Sequence, residues 1–191
     1  MNLFRPLFAA LLLVAVAMPA HAGKMDKSKD PITVEPGTAT IVFMRPGKFV
    51  GAAVAVPVWD ATTADDLRFV GLVDAGGKIA YSVPPGEHLF MTTIFGGEKG
   101  ARLYRATVEE GKTYYFHAHI IDGIWGLEPI RADALGGKEF QRWEAGTKRL
   151  VNSKKSLAWA AENLPTATGR RAALDPAAIG DANTLRAEDG G

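Results

Sequence analysis

Four histidines and no cysteine narrow the chemistry of this 191-residue chain before any fold is considered. Cys-based zinc sites and thiol nucleophiles are excluded. His117 and His119 stand two residues apart. On a strand that spacing sends both side chains to one face, near enough to offer two ring nitrogens to one zinc or copper ion. A stable site needs a third or fourth ligand, and His88, Glu87 or an acidic loop residue could supply it. The competing expectation is that both are half-buried sheet residues beneath the C-terminal helices. The pattern alone therefore assigns no metal, and His117, His119 and His88 stand as candidates.

Other reactive groups are scattered. Acid–base catalysis needs two carboxylates facing one cleft, whereas Asp65-Asp66 and Glu109-Glu110 are adjacent pairs in turns whose side chains point apart. No G-x-S-x-G motif is present, and Ser82, Ser153 and Ser156 have no evident base. Gly76-Gly77 and Gly96-Gly97 precede no helix, so neither offers an anion a helix N-terminus. Lys148, Arg149, Lys154 and Lys155 form a basic cluster close to Glu139, Glu144 and Glu162, which reads as a solvated face, with contact to anionic envelope components as the alternative. Trp125, Trp143 and Trp159 are the aromatic candidates for a ligand or partner, since loop indoles stack on sugar rings or anchor proteins. No catalytic residue and no cofactor-binding residue emerges from the sequence.

The elements that would position these groups follow a leader. Arg5, the unbroken apolar run Leu7 to Ala17 and the Ala20-His21-Ala22 pattern read as a secretory signal peptide over residues 1–22. The run is shorter than the roughly 20 residues of a spanning helix, and no Cys follows for a lipid anchor. The expected location is periplasmic or secreted, without stable membrane insertion after cleavage. Loss of Arg5 leaves basic and acidic residues in balance. That balance gives no reason to expect nucleic acid or an anionic membrane as partner.

Residues 23–36 are polar and read as a flexible arm. From Gly37 to residue 132 short apolar stretches are broken by Gly, Pro and Asp. Strands are predicted at 38–45, 52–59, 67–73, 78–83, 87–95, 101–108 and 112–121. Pro57 places the second of these at an edge or a bulge. Asp74 to Gly77 reads as a hairpin, and Pro84-Pro85-Gly86-Glu87 as a type II turn. Tyr114, Phe116, Ala118 and Ile120 share a core face, opposite Tyr115, His117 and His119. Trp125 falls in a loop flanked by Gly123 and Gly126. The expected fold is mainly β, a single antiparallel β-sandwich of about seven strands with a C-terminal helical appendage.

After Arg131 the period changes to about 3.6. Phe140, Trp143, Thr147 and Leu150 mark one helix; Leu157, Ala161 and Leu164 mark a second, capped by Ser153 and ended by Pro165. This places the helical appendage at 133–165. Residues 166–191 are rich in Ala, Gly and Asp and poor in large apolar residues, the composition of a disordered tail.

Three motifs carry a resemblance. They are Ala39, Ile41 to Pro46; then Val83 to His88; then Glu110 to Tyr115. Together they resemble an uncharacterised family of bacterial envelope proteins, a domain of unknown function found often in lipoproteins and prealbumin-like in build. The resemblance implies a small β-sandwich at the cell envelope and no known activity. The chain departs from the lipoprotein members in lacking a Cys after the leader.

Leader, strand pattern and missing catalytic constellation together predict a non-catalytic binding or interaction module of the cell envelope. An envelope protein or a glycan is the expected partner. Residues 135–164 would either cover a sheet or dock on that partner. A carbohydrate-binding module using Trp125 is the alternative, and a His-based metal-binding protein the third.

Overall fold

The computed structural model describes residues 24–47, 54–93, 100–121 and 124–191. Residues 1–22, read as a leader, and Gly96, Gly97 and Gly123 lie outside them. Each of the seven expected stretches forms a strand: β2 Ala39–Arg45, β3 Val56–Asp60, β4 Arg68–Val73, β5 Gly77–Val83, β6 Gly86–Thr93, β7 Ala101–Val108 and β8 Thr113–Ile121. Four more join them: β1 Asp26–Lys27, β9 Ile124–Pro129, β10 Lys148–Val151 and β11 Thr184–Leu185. One sheet has the order β1-β10-β5-β2-β8-β9, the other β11-β7-β6-β3-β4.

The simple seven-strand antiparallel sandwich is therefore corrected to two mixed sheets. β2 runs parallel to β8, β10 to β5 and β11 to β7. The cause lies in the connections. The chain changes sheet after β2, β4, β5, β7 and β10, so the direction of β8 is set by where β7 ends rather than by a hairpin with β2. The Asp74–Gly77 turn likewise joins two sheets and is no hairpin. Gly76 takes φ +74° there, and a Cβ on Gly77 would fall inside the Leu150 side chain. Pro57 resolves to the bulge: β3 is internal, its register shifts between Val58 and Trp59, and its ladder with β6 begins only at Val58.

The inner faces make the core. Phe43 stacks on Phe116 at 5.6 Å between centroids, and Phe90 meets Phe43 edge-on at 5.1 Å. Trp59, Tyr104 and Tyr114 are also fully buried; each large side chain so buried contributes about 2–3 kcal/mol. Every residue of β2 is buried, so this strand is covered on both sides. Its outward residues Val42 and Met44 pack with Ile130, Phe140 and Trp143.

The helical segment docks on the sheets. α1 (Lys138–Gly146) lies over the outer face of the six-stranded sheet, with Phe140 edge-on to Tyr115 at 4.9 Å. It stops before Leu150, which instead belongs to β10 and packs against Gly77. α2 (Lys154–Ala172) starts as expected, with Ser153 accepting from the Lys155 and Ser156 amides in a capping box. Pro165 does not end it. The residue sits on the exposed side, where water takes the Ala161 carbonyl that loses its partner.

The stretch 166–191 is folded as well. Leu185 is fully buried, and Gly191 exchanges two backbone hydrogen bonds with Thr113 (2.8 and 3.1 Å). Asp189, buried, accepts from Arg131 Nη1 (2.8 Å) and from the Arg186 amide (2.8 Å). One leucine and one well-satisfied carboxylate thus order a segment whose composition reads as disordered. The 23–36 arm is pinned in part too: Met25 is buried and β1 pairs with β10.

Candidate metal centre

The two-residue period of β8 delivers His117 and His119 to the outer face, as their spacing predicts. β9 runs back antiparallel and sets Glu128 directly across from His117. The imidazoles stack with centroids 4.6 Å apart and planes 10° from parallel. His119 Nε2 lies 2.8 Å from Glu128 Oε2. His117 is buried, His119 half-buried and Glu128 exposed. The Trp143 indole of α1 lies 4.3 Å from the His117 ring, so the helix helps to fix the first ligand's plane.

One atom in this group is out of place for a purely structural pair. His119 Nε2 is shielded from water and makes no hydrogen bond among the described residues, although a carboxylate oxygen stands 2.8 Å away. A covered polar atom without a hydrogen bond carries a free-energy cost, which a cation shared between nitrogen and carboxylate removes. The three ligand atoms lie within 4.8 Å of one another. Tetrahedral zinc at 2.0–2.2 Å from its ligands sets them about 3.4 Å apart, a closure that small side-chain rotations supply.

Two grooves flank the cluster. One, of about 150 Å³, lies between the His pair and Arg45, Pro46 and Trp125. The other, of about 220 Å³, runs from His117 and Glu128 to Arg131, Asp133 and Trp143. Three protein ligands leave a coordination position open, and the grooves admit water or a small ligand to it.

The remaining candidates fall elsewhere. His88 is on β6 of the other sheet, with Nε2 2.8 Å from the Pro84 carbonyl, so it is not the third ligand; nor is Glu87, which pairs with Arg105 at 3.3 Å. Trp125 is a strand residue of β9 rather than a loop residue, and the Arg45 guanidinium sits 3.9 Å over its ring. Burial holds the Arg45 pKa below its ordinary value, against the opposing pull of Asp74. Trp159 is buried beside Trp59 and Phe69. Ser153 and Ser156 are spent on the α2 cap. Glu109 pairs with Lys112 at 2.6 Å, and Glu110 accepts from the Gly37 amide.

Glu128 is the candidate ligand that the sequence pattern did not single out, because β9 was not expected. The signal is present: Asp122-Gly123 between Ile121 and Ile124 is the dipeptide of a two-residue hairpin. That register alone sets 128 across from 117.

No family model matches the chain, and no curated protein does either. The resemblance to the envelope family rests on its motifs. Among the described residues no helix is long and apolar enough to cross a membrane.

Proposed function

We propose that the protein is a non-catalytic binding module of the cell envelope, and that it binds a divalent transition-metal ion through His117, His119 and Glu128. The observation that carries this reading is the covered His119 Nε2, 2.8 Å from a carboxylate oxygen and without a hydrogen bond. Two imidazoles and one carboxylate suit zinc or copper(II), while calcium and magnesium call for all-oxygen sets. Export is supported by the leader. The ion is favoured over a sugar ring because one face of Trp125 is under Arg45, Trp143 lies on His117 and Trp159 is buried. It is favoured over a partner-seeking helix because α1 and α2 already cover the sandwich.

Thermal unfolding tests it. Zinc at a hundred times its dissociation constant adds about 2.7 kcal/mol to the folded state, so chelator-stripped protein should melt several degrees higher once zinc is restored. His119→Ala and Glu128→Ala should each lose that rise while keeping the metal-free melting temperature within a few degrees. An unchanged melting temperature in the parent protein sinks the proposal.

A further inference from the structure

Charge balance over the whole chain conceals a strongly segregated surface. β1 is the edge strand of the six-stranded sheet and pairs with β10 through Asp26↔Val151 and Lys27↔Leu150. The Ser28 amide bonds the Arg149 carbonyl, and the Ser153 hydroxyl bonds the Lys24 carbonyl. These contacts bring Lys24, Lys27 and Lys29 of the N-terminal arm beside Lys148, Lys154 and Lys155. With Arg149 the edge holds seven cations against Asp26 and Asp30, a surplus of five in a balanced mature chain.

Two features separate this patch from an ordinary solvated edge. Lysines on an edge strand discourage sheet-to-sheet aggregation, which accounts for Lys27. It does not account for Lys154 and Lys155. They occupy the first turn of α2, which has no acidic residue, and there the helix dipole repels cations. Apolar side chains are also left in the open next to the charges. Val151 follows Leu150 on β10, and Leu157 and Leu164 are 52% and 38% exposed on α2. Lys154, Leu157, Ala161 and Leu164 follow at intervals of three, four and three, a single stripe headed by a cation. Glu162 is the acidic residue on this stretch of helix.

We propose that this edge docks the protein on an anionic lipid bilayer. The cations would face the headgroups, and the Leu157–Leu164 stripe would lie at the acyl boundary. The complementarity is of charge first: on the N-terminal arm, β10 and the first turn of α2, seven cations stand with Asp26 and Asp30. The proposal is independent of the metal centre, which lies at the opposite edge of the same sheet.

Co-sedimentation of the exported protein with vesicles tests this. At about 0.1 M salt it should pellet with phosphatidylglycerol-containing vesicles and stay in solution with pure phosphatidylcholine. At about 1 M salt, where the screening length falls to roughly 3 Å, it should be released. A basic residue near an anionic surface is worth about fivefold in partitioning. Lys154→Gln/Lys155→Gln should therefore weaken binding about 25-fold, and Lys138→Gln on α1 should leave it unchanged. Leu157→Ser should weaken it without altering the salt dependence. Equal binding to neutral vesicles, or parental binding by the double variant, overturns the proposal. So does capture by an anionic polysaccharide with no vesicle binding, which would reassign the patch to a soluble polyanion.

Discussion

The two edges of the six-stranded sheet are built from different kinds of connection, and their chemistry differs accordingly. At one edge β9 follows β8 directly, so the register of a short hairpin sets Glu128 against His117. α1 and the C-terminal chain then close over it, and Arg131 there reaches Asp189 and the carbonyls of Thr184 and Asp181. At the other edge the chain has contributed only β1, two residues long, drawn from the N-terminal arm by β10. Nothing among the described residues covers it, and it is left with charge. A locally encoded edge can hold ligands at fixed distances. A thin, distantly recruited edge presents a field instead.

The sharpest way to break the comparison is to unfasten the sealed edge. Asp189→Ala removes the acceptor of Arg131 and of the Ala132 and Arg186 amides. Breaking a buried pair costs roughly 3–5 kcal/mol, and Arg131 keeps some access to water, so about 3 kcal/mol should be lost in urea unfolding. A loss below about 1 kcal/mol would mean that the C-terminal chain is an ornament and the edge is held by the hairpin alone.

The corresponding substitution on the thin edge is Met25→Ala. Met25 is 7% exposed and belongs to the main core. The expected cost is about 2 kcal/mol, the low end for a buried Met, because a two-residue strand gives way and limits the cavity. The same variant should also lose part of its binding to anionic vesicles, as Lys24, Lys27 and Lys29 come away from Lys148 and Lys154. If it costs as much as Asp189→Ala, the two edges are equally built and the contrast fails.

How much of this is legible in the sequence depends on how local the cause is. Tyr114–His119 alternates and β8 follows from it, although Ile120, expected on the core face, is 44% exposed near the strand's end. Ser153 with Ser156 caps α2 where expected, because a capping box acts within four residues. The errors come from interactions at a distance. Leu150 fits a helical period, yet it is a strand residue because Gly77, more than seventy positions earlier, leaves space for it. Pro165 reads as a stop, yet an exposed carbonyl tolerates its missing donor. The 166–191 stretch reads as disordered, since composition cannot register that Leu185 finds β7 or that Asp189 finds three donors. For the site, the His pair is legible from its spacing, and Glu128 only through the Asp122-Gly123 hairpin signal. The basic cluster of Lys148, Arg149, Lys154 and Lys155 is legible too, but its extension by the N-terminal arm is not: Lys24 and Lys154 are neighbours only after folding.

A smaller effect tests how α1 is held over the proposed metal centre. Lys78, on β5, is mostly covered, and its Nζ lies 2.7 Å from the Glu144 carboxylate at the end of α1. Lys78→Met keeps the aliphatic packing and removes the charge. With Glu144 partly in solvent, the cost should be about 1 kcal/mol, and the loosened Trp143 should lower zinc affinity a few-fold. An unchanged zinc titration would show that the His117 ring is set by β8 without help from the helix.

The smallest effect concerns pH on the same face. Tyr115 lies under Phe140, and burial first, then the charge of Glu144, pushes its phenol pKa up. The fold thus favours the protonated ring. The stability this contributes is fully present below the ordinary tyrosine value near 10 and is lost as pH rises through the folded value. Tyr115→Phe should therefore reduce the fall in urea midpoint between about pH 9 and pH 11. Part of that fall should survive, because Tyr104 and Tyr81 are shifted in the same direction, chiefly by burial. If the variant matches the parent across that range, α1 has lifted before Tyr115 ionises. The metal edge would then open as readily as the charged one, and the distinction between a sealed and a bare edge would hold only at neutral pH.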